Sequence, residues 1–375
     1  MKEIKILQVI GGLNRGGAET MLMNLYRKID RQKYKFDFLV YVTDDKKADY
    51  EDEILRNGDQ IIKLDRNRVK NPILFYHDLN HVMKNSGYTC VHAHTLFNSG
   101  IVMYASYHNH IPVRITHSHS SGNMKRDTLI NRTYFKFAKY LITKYSTNDI
   151  ACDLKSGKYL FGEGFSGPVL HNGIDLNRFC YEENVEGNKY QYLRDENVLK
   201  LAVIGSFYEV KNHIFLLPIA EKLKEKGIKF KLYFAGRGPL QEMLEEKVKE
   251  LHLENEIIFL GIVDQVEKFL KNIDLILMPS LYEGVPVSLI EAQAAGVPAI
   301  ISENISRDVD MELGLLNFVT IDSEKQWLEE ILKFYCEKHE NLNPKNIYEQ
   351  LTLKGYNVEK NVDFLCEIYG NSSIY

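Results

Sequence analysis

Short runs rich in β-branched and aromatic residues alternate with amphipathic stretches, and the alternation is run twice along the chain. Ile4–Ile10, Phe36–Val42, Gln60–Leu64, Thr89–His94 and Val113–His117 read as strands. Ala18–Ile29, Asp49–Asn57 and Asn71–Asn85 read as the helices between them. After residue 197 the rhythm restarts, with strands over Leu199–Ile204, Phe230–Gly236, Ile257–Leu260, Leu275–Pro279 and Ala299–Ser302, the last strand expected. Helices are expected over His213–Lys226, Leu240–Leu251, Val266–Lys271 and Val287–Ala295, and two more over Lys325–Lys338 and Val358–Tyr369. This rhythm predicts an α/β chain with two doubly wound parallel sheets, each covered by helices. The expected domains are 1–170 and 171–357, with a C-terminal helix (358–375) packing back on the first. The polar stretch Tyr181–Asn197 reads as a surface excursion just beyond the link.

At 375 residues the chain exceeds what one ordinary core organises, which agrees with two domains. The first apolar run is too short for a signal peptide, and no stretch approaches the roughly 20 apolar residues of a membrane span. The five cysteines are scattered without metal-like spacing, as in a reducing cytosol. A cytoplasmic protein is expected, with no nucleic-acid partner. The net charge of −4 conceals a division: residues 1–170 carry 25 Lys+Arg against 17 Asp+Glu, and the remainder carry 22 against 34. A basic first half suits an anionic surface or acceptor.

In sheets of this kind ligands sit beyond the carboxyl ends of the strands, so the loops there carry most weight. Gly11-Gly-Leu-Asn-Arg-Gly16-Gly17-Ala-Glu19 follows the first strand, and its glycines let backbone N–H groups approach a phosphate. The spacing does not fit a dinucleotide fingerprint. His92-Ala-His94 and His117-Ser-His119 each follow an apolar strand. Without an acidic or cysteine partner they read as a polar sugar-cleft lining rather than a metal site. Lys211, in Gly205-Ser206-Phe-Tyr-Glu-Val-Lys211, is expected at a helix N-terminus facing a diphosphate. Gly236-Arg237-Gly238-Pro239 is a turn open to a flat ring or ribose. Glu283-Gly284-Val285-Pro286-Val-Ser-Leu289-Ile-Glu291 sets two carboxylates eight residues apart across a turn that opens a helix. The unpaired N–H groups between them attract phosphate, so hydroxyls, phosphate and hydroxyls are met in turn, as in a sugar nucleotide.

Together, His171-Asn172-Gly-Ile-Asp175, Lys211, Ala235-Gly-Arg-Gly-Pro239 and Glu283 to Glu291 resemble glycosyltransferase family 4. Gly16-Gly-Ala-Glu19, His117-Ser-His119 and the stretch from Ala151 to Gly162 are similar to its bacterial exopolysaccharide and capsule branch. The resemblance implies a GT-B fold, with two Rossmann-like domains facing a central cleft and retention of anomeric configuration. The C-terminal domain would hold the sugar nucleotide, UDP-linked by family habit, and the N-terminal domain a glycan or polyprenyl-linked acceptor. By the same carry-over Glu291 meets the ribose and Glu283 the transferred hexose or N-acetylhexosamine. Lys211, Gly16 and Gly17 meet the diphosphate, and His117 lies near sugar and acceptor. Ser206, Gly236, Arg237, Asn172 and the Gly284–Leu289 turn complete the donor set.

The family's pattern has arginine where this chain has Ser206, next to Gly205. Losing a fixed charge there costs on the order of 10²–10³ in rate unless Arg15 or Arg237 replaces it. No cofactor or metal is expected: Asp44-Asp45 lies in a polar connector, and Lys211 with the helix N-terminus neutralises the leaving group. The basic, aromatic stretch Asn123–Tyr145 suits the inner face of an anionic plasma membrane, or a surface helix with its aromatic side in the core. Two other readings remain open, a sugar-nucleotide epimerase of related fold and a non-catalytic subunit paired with a partner glycosyltransferase.

Overall fold

The computed structural model describes residues 3–370 except 44–45, 121, 123–127, 182–189, 191–192, 194–196 and 338–340. Asp44-Asp45, Lys125, Arg126 and much of the stretch over Tyr181–Asn197 therefore lie outside the described residues. The chain divides into two units, Met1–Ile174 with Gly355–Tyr375, and Asp175–Lys354.

The first unit holds β1 (Ile4–Ile10), β2 (Tyr34–Val42), β3 (Gln60–Asp65), β4 (Cys90–Ala93), β5 (Val113–Ser118) and β6 (Asn148–Ala151). All pairs are parallel, in the order β3-β2-β1-β4-β5-β6. β1 and β2 are buried on both faces, which explains their unbroken apolar runs. One face packs on helix Gly17–Lys28 and on the last helix, Val358–Gly370, whose Tyr369 is fully buried in edge-on contact with Phe36. The opposite face packs on helices Pro72–Met83 and Ser99–His108.

The second unit holds β7 (Leu199–Ile204), β8 (Phe230–Ala235), β9 (Ile257–Gly261), β10 (Leu275–Met278), β11 (Ala299–Ser302) and β12 (Leu316–Val319). Its order, β12-β11-β10-β7-β8-β9, repeats that of the first unit, again all parallel. In each unit the strand order reverses between the first and fourth strands, the place where such sheets take ligands.

Ala299–Ser302 is not the last strand, because β12 follows it, and β6 ends the first sheet likewise. Both are four-residue edge strands carrying polar residues, which a strand paired on one side tolerates. The divide between units falls after Ile174 rather than at 170 because His171–Ile174 is tied to the chain's last segment. The Asn361 amide donates to the His171 carbonyl (2.9 Å), and Ile174 N–H to Tyr356 (2.9 Å). Asn172 thus belongs to the first unit.

Candidate active site

The loops beyond β7, β8 and β10 are fastened to one another. Gly205 N–H donates to Ala235 (3.0 Å) and Phe207 N–H to Arg237 (3.0 Å). A Cβ on Gly236 would overlap the Gly205 carbonyl, and one on Gly238 would meet the Phe207 backbone at 2.5 Å. Glycine at both positions is therefore a steric requirement of this crossing. Leu281 N–H donates to Val210 (2.8 Å), and the Asn212 side chain to the Pro279 carbonyl (3.1 Å), which joins the β7 and β10 loops. The Glu283 carbonyl accepts from Ser306 (3.1 Å), and this pins the start of the Gly284–Pro286 turn.

At that junction Lys211 Nζ lies 2.5 Å from Glu283 Oε1, both side chains largely covered. The Lys211 stem crosses Gly205, where a Cβ would meet its Cε at 3.3 Å. Lys211 does not open an α-helix. It ends a 3-10 turn, Glu209–Lys211, and left-handed Asn212 (φ 54°) then leads into a second 3-10 segment before helix Leu217–Glu225. The tight turn is what aims the ammonium back over the sheet edge. The buried His213 imidazole beside it is pushed down to about 4, by burial first and the Lys211 charge second.

Helix Val287–Ala294 starts from Pro286 with no side-chain cap, and of its first-turn amides Leu289 N–H donates to the Pro286 carbonyl (3.1 Å). Leu289 is fully buried as a packing residue, and Glu291, two residues on, is half-buried. Ser206 is exposed. The Arg237 guanidinium lies by the end of β9, its Nε 3.8 Å from where a Gly261 Cβ would stand. The Arg15 guanidinium lies over the Tyr50 ring (5.9 Å) in the first unit. Within the second unit the structure thus unites Lys211, Glu283 and the Gly284–Pro286 turn.

In the first unit, Glu19 folds back over Gly16, its carboxyl raised by burial, and Gly17 stands 3.6 Å (to a built Cβ) from the Asn172 amide. Near the ends of β4 and β5, His92 and His117 within the strands and His94 and His119 just past them stack as a ladder on one sheet face, with ring centroids 4.1–5.4 Å apart between neighbours. Register explains this: β4 and β5 are adjacent and parallel, and alternate residues share a face. Burial drives every ring down, His92 and His119 to about 3, so all four are neutral at pH 7. Ring nitrogens of His92, His94 and His117 lie within 4.8 Å of one another. They are joined by hydrogen bonds: His92 Nε2 to His117 Nδ1 (3.3 Å), and His94 Nδ1 to His119 Nε2 (2.8 Å). Two further partners are Gln8 and Tyr369, neither of which the sequence reading marked. Gln8 was findable as the lone amide inside the apolar run Ile4–Ile10; nothing local distinguishes Tyr369.

Residues 15–178 match the family model Glycosyltransferase Family 4, and residues 185–308 match Glycosyl transferases group 1. The chain is 36% identical to the Bacillus subtilis glycosyltransferase EpsF, over 98% of this chain and 97% of that protein. This chain belongs to glycosyltransferase family 4. It is also 27% identical to CapH, a Staphylococcus aureus capsular polysaccharide biosynthesis glycosyltransferase, over 92% of this chain and 95% of CapH. Among solved structures, Anabaena HepE in complex with UDP and glucose superposes with a TM-score of 0.73 at 16% identity, over 98% of this chain and all of that one. The fold is GT-B, and the chain is a glycosyltransferase. No described helix is long and apolar enough to cross a membrane.

Proposed function

We propose that this family 4 enzyme moves a hexose or N-acetylhexosamine from a UDP-sugar to a glycan or polyprenyl-linked acceptor, with retention, in surface polysaccharide synthesis. The observation that carries the reading is the Lys211–Glu283 pair at the second sheet's switch point, beside an uncapped helix N-terminus. A diphosphate would take Lys211 from Glu283 and receive the turn amides of Gly284–Leu289. Glu283, freed, would accept from a sugar hydroxyl, and Glu291 from the ribose. Gly205, Gly236 and Gly238 keep the loop floor low enough for a nucleoside, beside Ser206 and Arg237. In the first unit Gly16, Gly17 and Asn172 offer polar groups to an anion.

The acceptor oxygen would attack the anomeric carbon on the face from which the diphosphate departs, its proton passing to the leaving phosphate oxygen. Catalysis would then rest on orientation and charge stabilisation, with no metal in the reaction. CapH, a relative by sequence named for capsular polysaccharide biosynthesis, supports the surface-polysaccharide assignment, and the HepE complex supports UDP.

Helix Leu129–Tyr145 has no acidic residue, and its exposed face carries Arg132, Lys136 and Lys144 among Leu129, Phe137 and Tyr140. Tyr134, Phe135 and Leu141 turn inward instead. A surface of this kind would rest on an anionic cytoplasmic leaflet where a lipid-linked acceptor is presented.

A thermal-shift and turnover screen over nucleotide sugars tests the assignment. Stabilisation by one UDP-sugar, lost in Glu291→Ala, is expected, with transfer once an acceptor is supplied. Conversion of the donor without acceptor would replace the reading with an epimerase. Binding without turnover until a second chain is added would replace it with a non-catalytic subunit.

A further inference from the structure

The histidine ladder ends in two buried ring nitrogens without a hydrogen-bond partner among the described residues, His117 Nε2 and His119 Nδ1. Their polarity follows from the other end of the network. The Gln8 amide nitrogen can only donate, and it lies 3.3 Å from the Tyr369 hydroxyl. The hydroxyl proton therefore goes to its other neighbour, His92 Nδ1, at 2.8 Å. With Nδ1 accepting, neutral His92 carries its proton on Nε2 and gives it to His117 Nδ1 (3.3 Å). His117 is then protonated on Nε2.

The second wire starts from the same amide. The Gln8 carbonyl oxygen can only accept, so His94 Nε2, 3.1 Å away, is the protonated nitrogen. His94 Nδ1 accepts from His119 Nε2 (2.8 Å), and His119 Nδ1 is left with a bare lone pair. Neutrality of all four rings, forced by burial, is what makes each tautomer decide the next. The Leu170 backbone carbonyl faces His117, a neighbour that favours an N–H there.

We infer that Gln8 and Tyr369 are positioning residues that lock this ladder so that His117 offers an Nε2–H donor and His119 an Nδ1 acceptor to a sugar hydroxyl. A hydroxyl is both acceptor and donor, and the two rings that would hold it are 4.1 Å apart. The assignment of a sugar rests on the proposed function; the tautomer lock does not. Turning over the single Gln8 amide would reverse both wires together, so the polarity of the site depends on one side chain in β1.

The test is long-range ¹H–¹⁵N NMR on the full chain labelled at histidine, which reads each ring's protonated nitrogen directly. All four rings are expected neutral and Nε2-protonated near pH 7.5. In Gln8→Glu the carboxylate still accepts from His94 but also accepts the hydrogen bond that the Tyr369 hydroxyl donates. His92 and His117 should then move to the Nδ1–H form while His94 and His119 stay. Tyr369→Phe, a smaller perturbation, should release His92 into a mixture of tautomers. An Nδ1–H form of His117 in the parent, a Gln8→Glu pair that does not move, or zinc retained by the purified chain on these rings would each overturn the lock.

Titration with a UDP-sugar, with UDP alone, and with a free glycan acceptor then separates the sources of the hydroxyl. Shifts at His117 and His119 with the UDP-sugar or the glycan, but not with UDP, are expected. In Gln8→Glu, kcat/KM should fall about tenfold with UDP affinity unchanged. If ligands bind and neither ring responds, the hydroxyl site is refuted. If no nucleotide sugar binds at all, the proposed function fails while the tautomers still report on the lock.

Discussion

The two sheets share one strand order, yet their ligand-bearing edges are chemically opposite. In the second unit the edge carries a lysine and a glutamate locked to each other at 2.5 Å. In the first it carries four imidazoles that burial keeps neutral. Fixed charge is what a diphosphate requires, and it acts strongly where side chains are largely covered. Neutral rings carry direction instead of charge: each offers a donor on one nitrogen and an acceptor on the other. The shared topology thus supplies a place, and the residues decide whether that place recognises charge or the orientation of hydroxyls.

The sharpest way to break the comparison is to remove the charge. Lys211→Met should lower turnover by about 10²–10³ in steady-state assays, as losing a fixed stabiliser of a leaving group does. The histidine tautomers should not change, and if they did the two edges would not be chemically independent.

Acid should act on the first unit. The folded-state values of His92 and His119 are depressed to about 3 from 6.5, so the unfolded chain binds protons first as pH falls. Their stability contribution is intact above the unfolded value and is lost as pH drops from 6.5 toward 3, by up to about 1.4 kcal/mol per unit for each ring. Urea midpoints of the first unit should fall between pH 7 and 5. A flat profile would show that the rings are not shielded as described.

Glu291→Ala should weaken UDP about ten- to a hundredfold in calorimetry if it accepts from the ribose, since charged hydrogen bonds contribute about 1.5–3 kcal/mol. Glu283→Gln should show the smallest and most diagnostic change. Turnover falls, but UDP alone binds a few-fold tighter, because Lys211 no longer has to leave a carboxylate. Unchanged or weaker UDP binding in that variant would separate Glu283 from the diphosphate subsite.

Much of the fold was legible because ten of the strands are apolar runs bounded by glycines or charges, as in Ile4–Ile10 and Leu275–Met278. β6 and β12 were not, since Asn-Asp-Ile-Ala and Leu-Asn-Phe-Val gain their strand character only from a neighbour's edge. Helix Ser99–His108 was likewise hidden, buried on most sides and so without an amphipathic stripe. At the site, Lys211, Glu283 and the four histidines could be read from strand ends and the loops that follow them. Gln8 and Tyr369 could not be joined to them, because 361 residues separate that pair and only the tertiary fold closes the gap.

Tyr369 has a consequence for biosynthesis as well. Its ring belongs to a core built largely from residues of the first 170, including Tyr34 and Phe36. A ribosome therefore delivers the whole second unit before the first has its final aromatic wall, and the half made earliest is completed last. Chains cut short by even the final helix would leave that wall open to water, and quality control would meet them as incomplete however well their second half had folded.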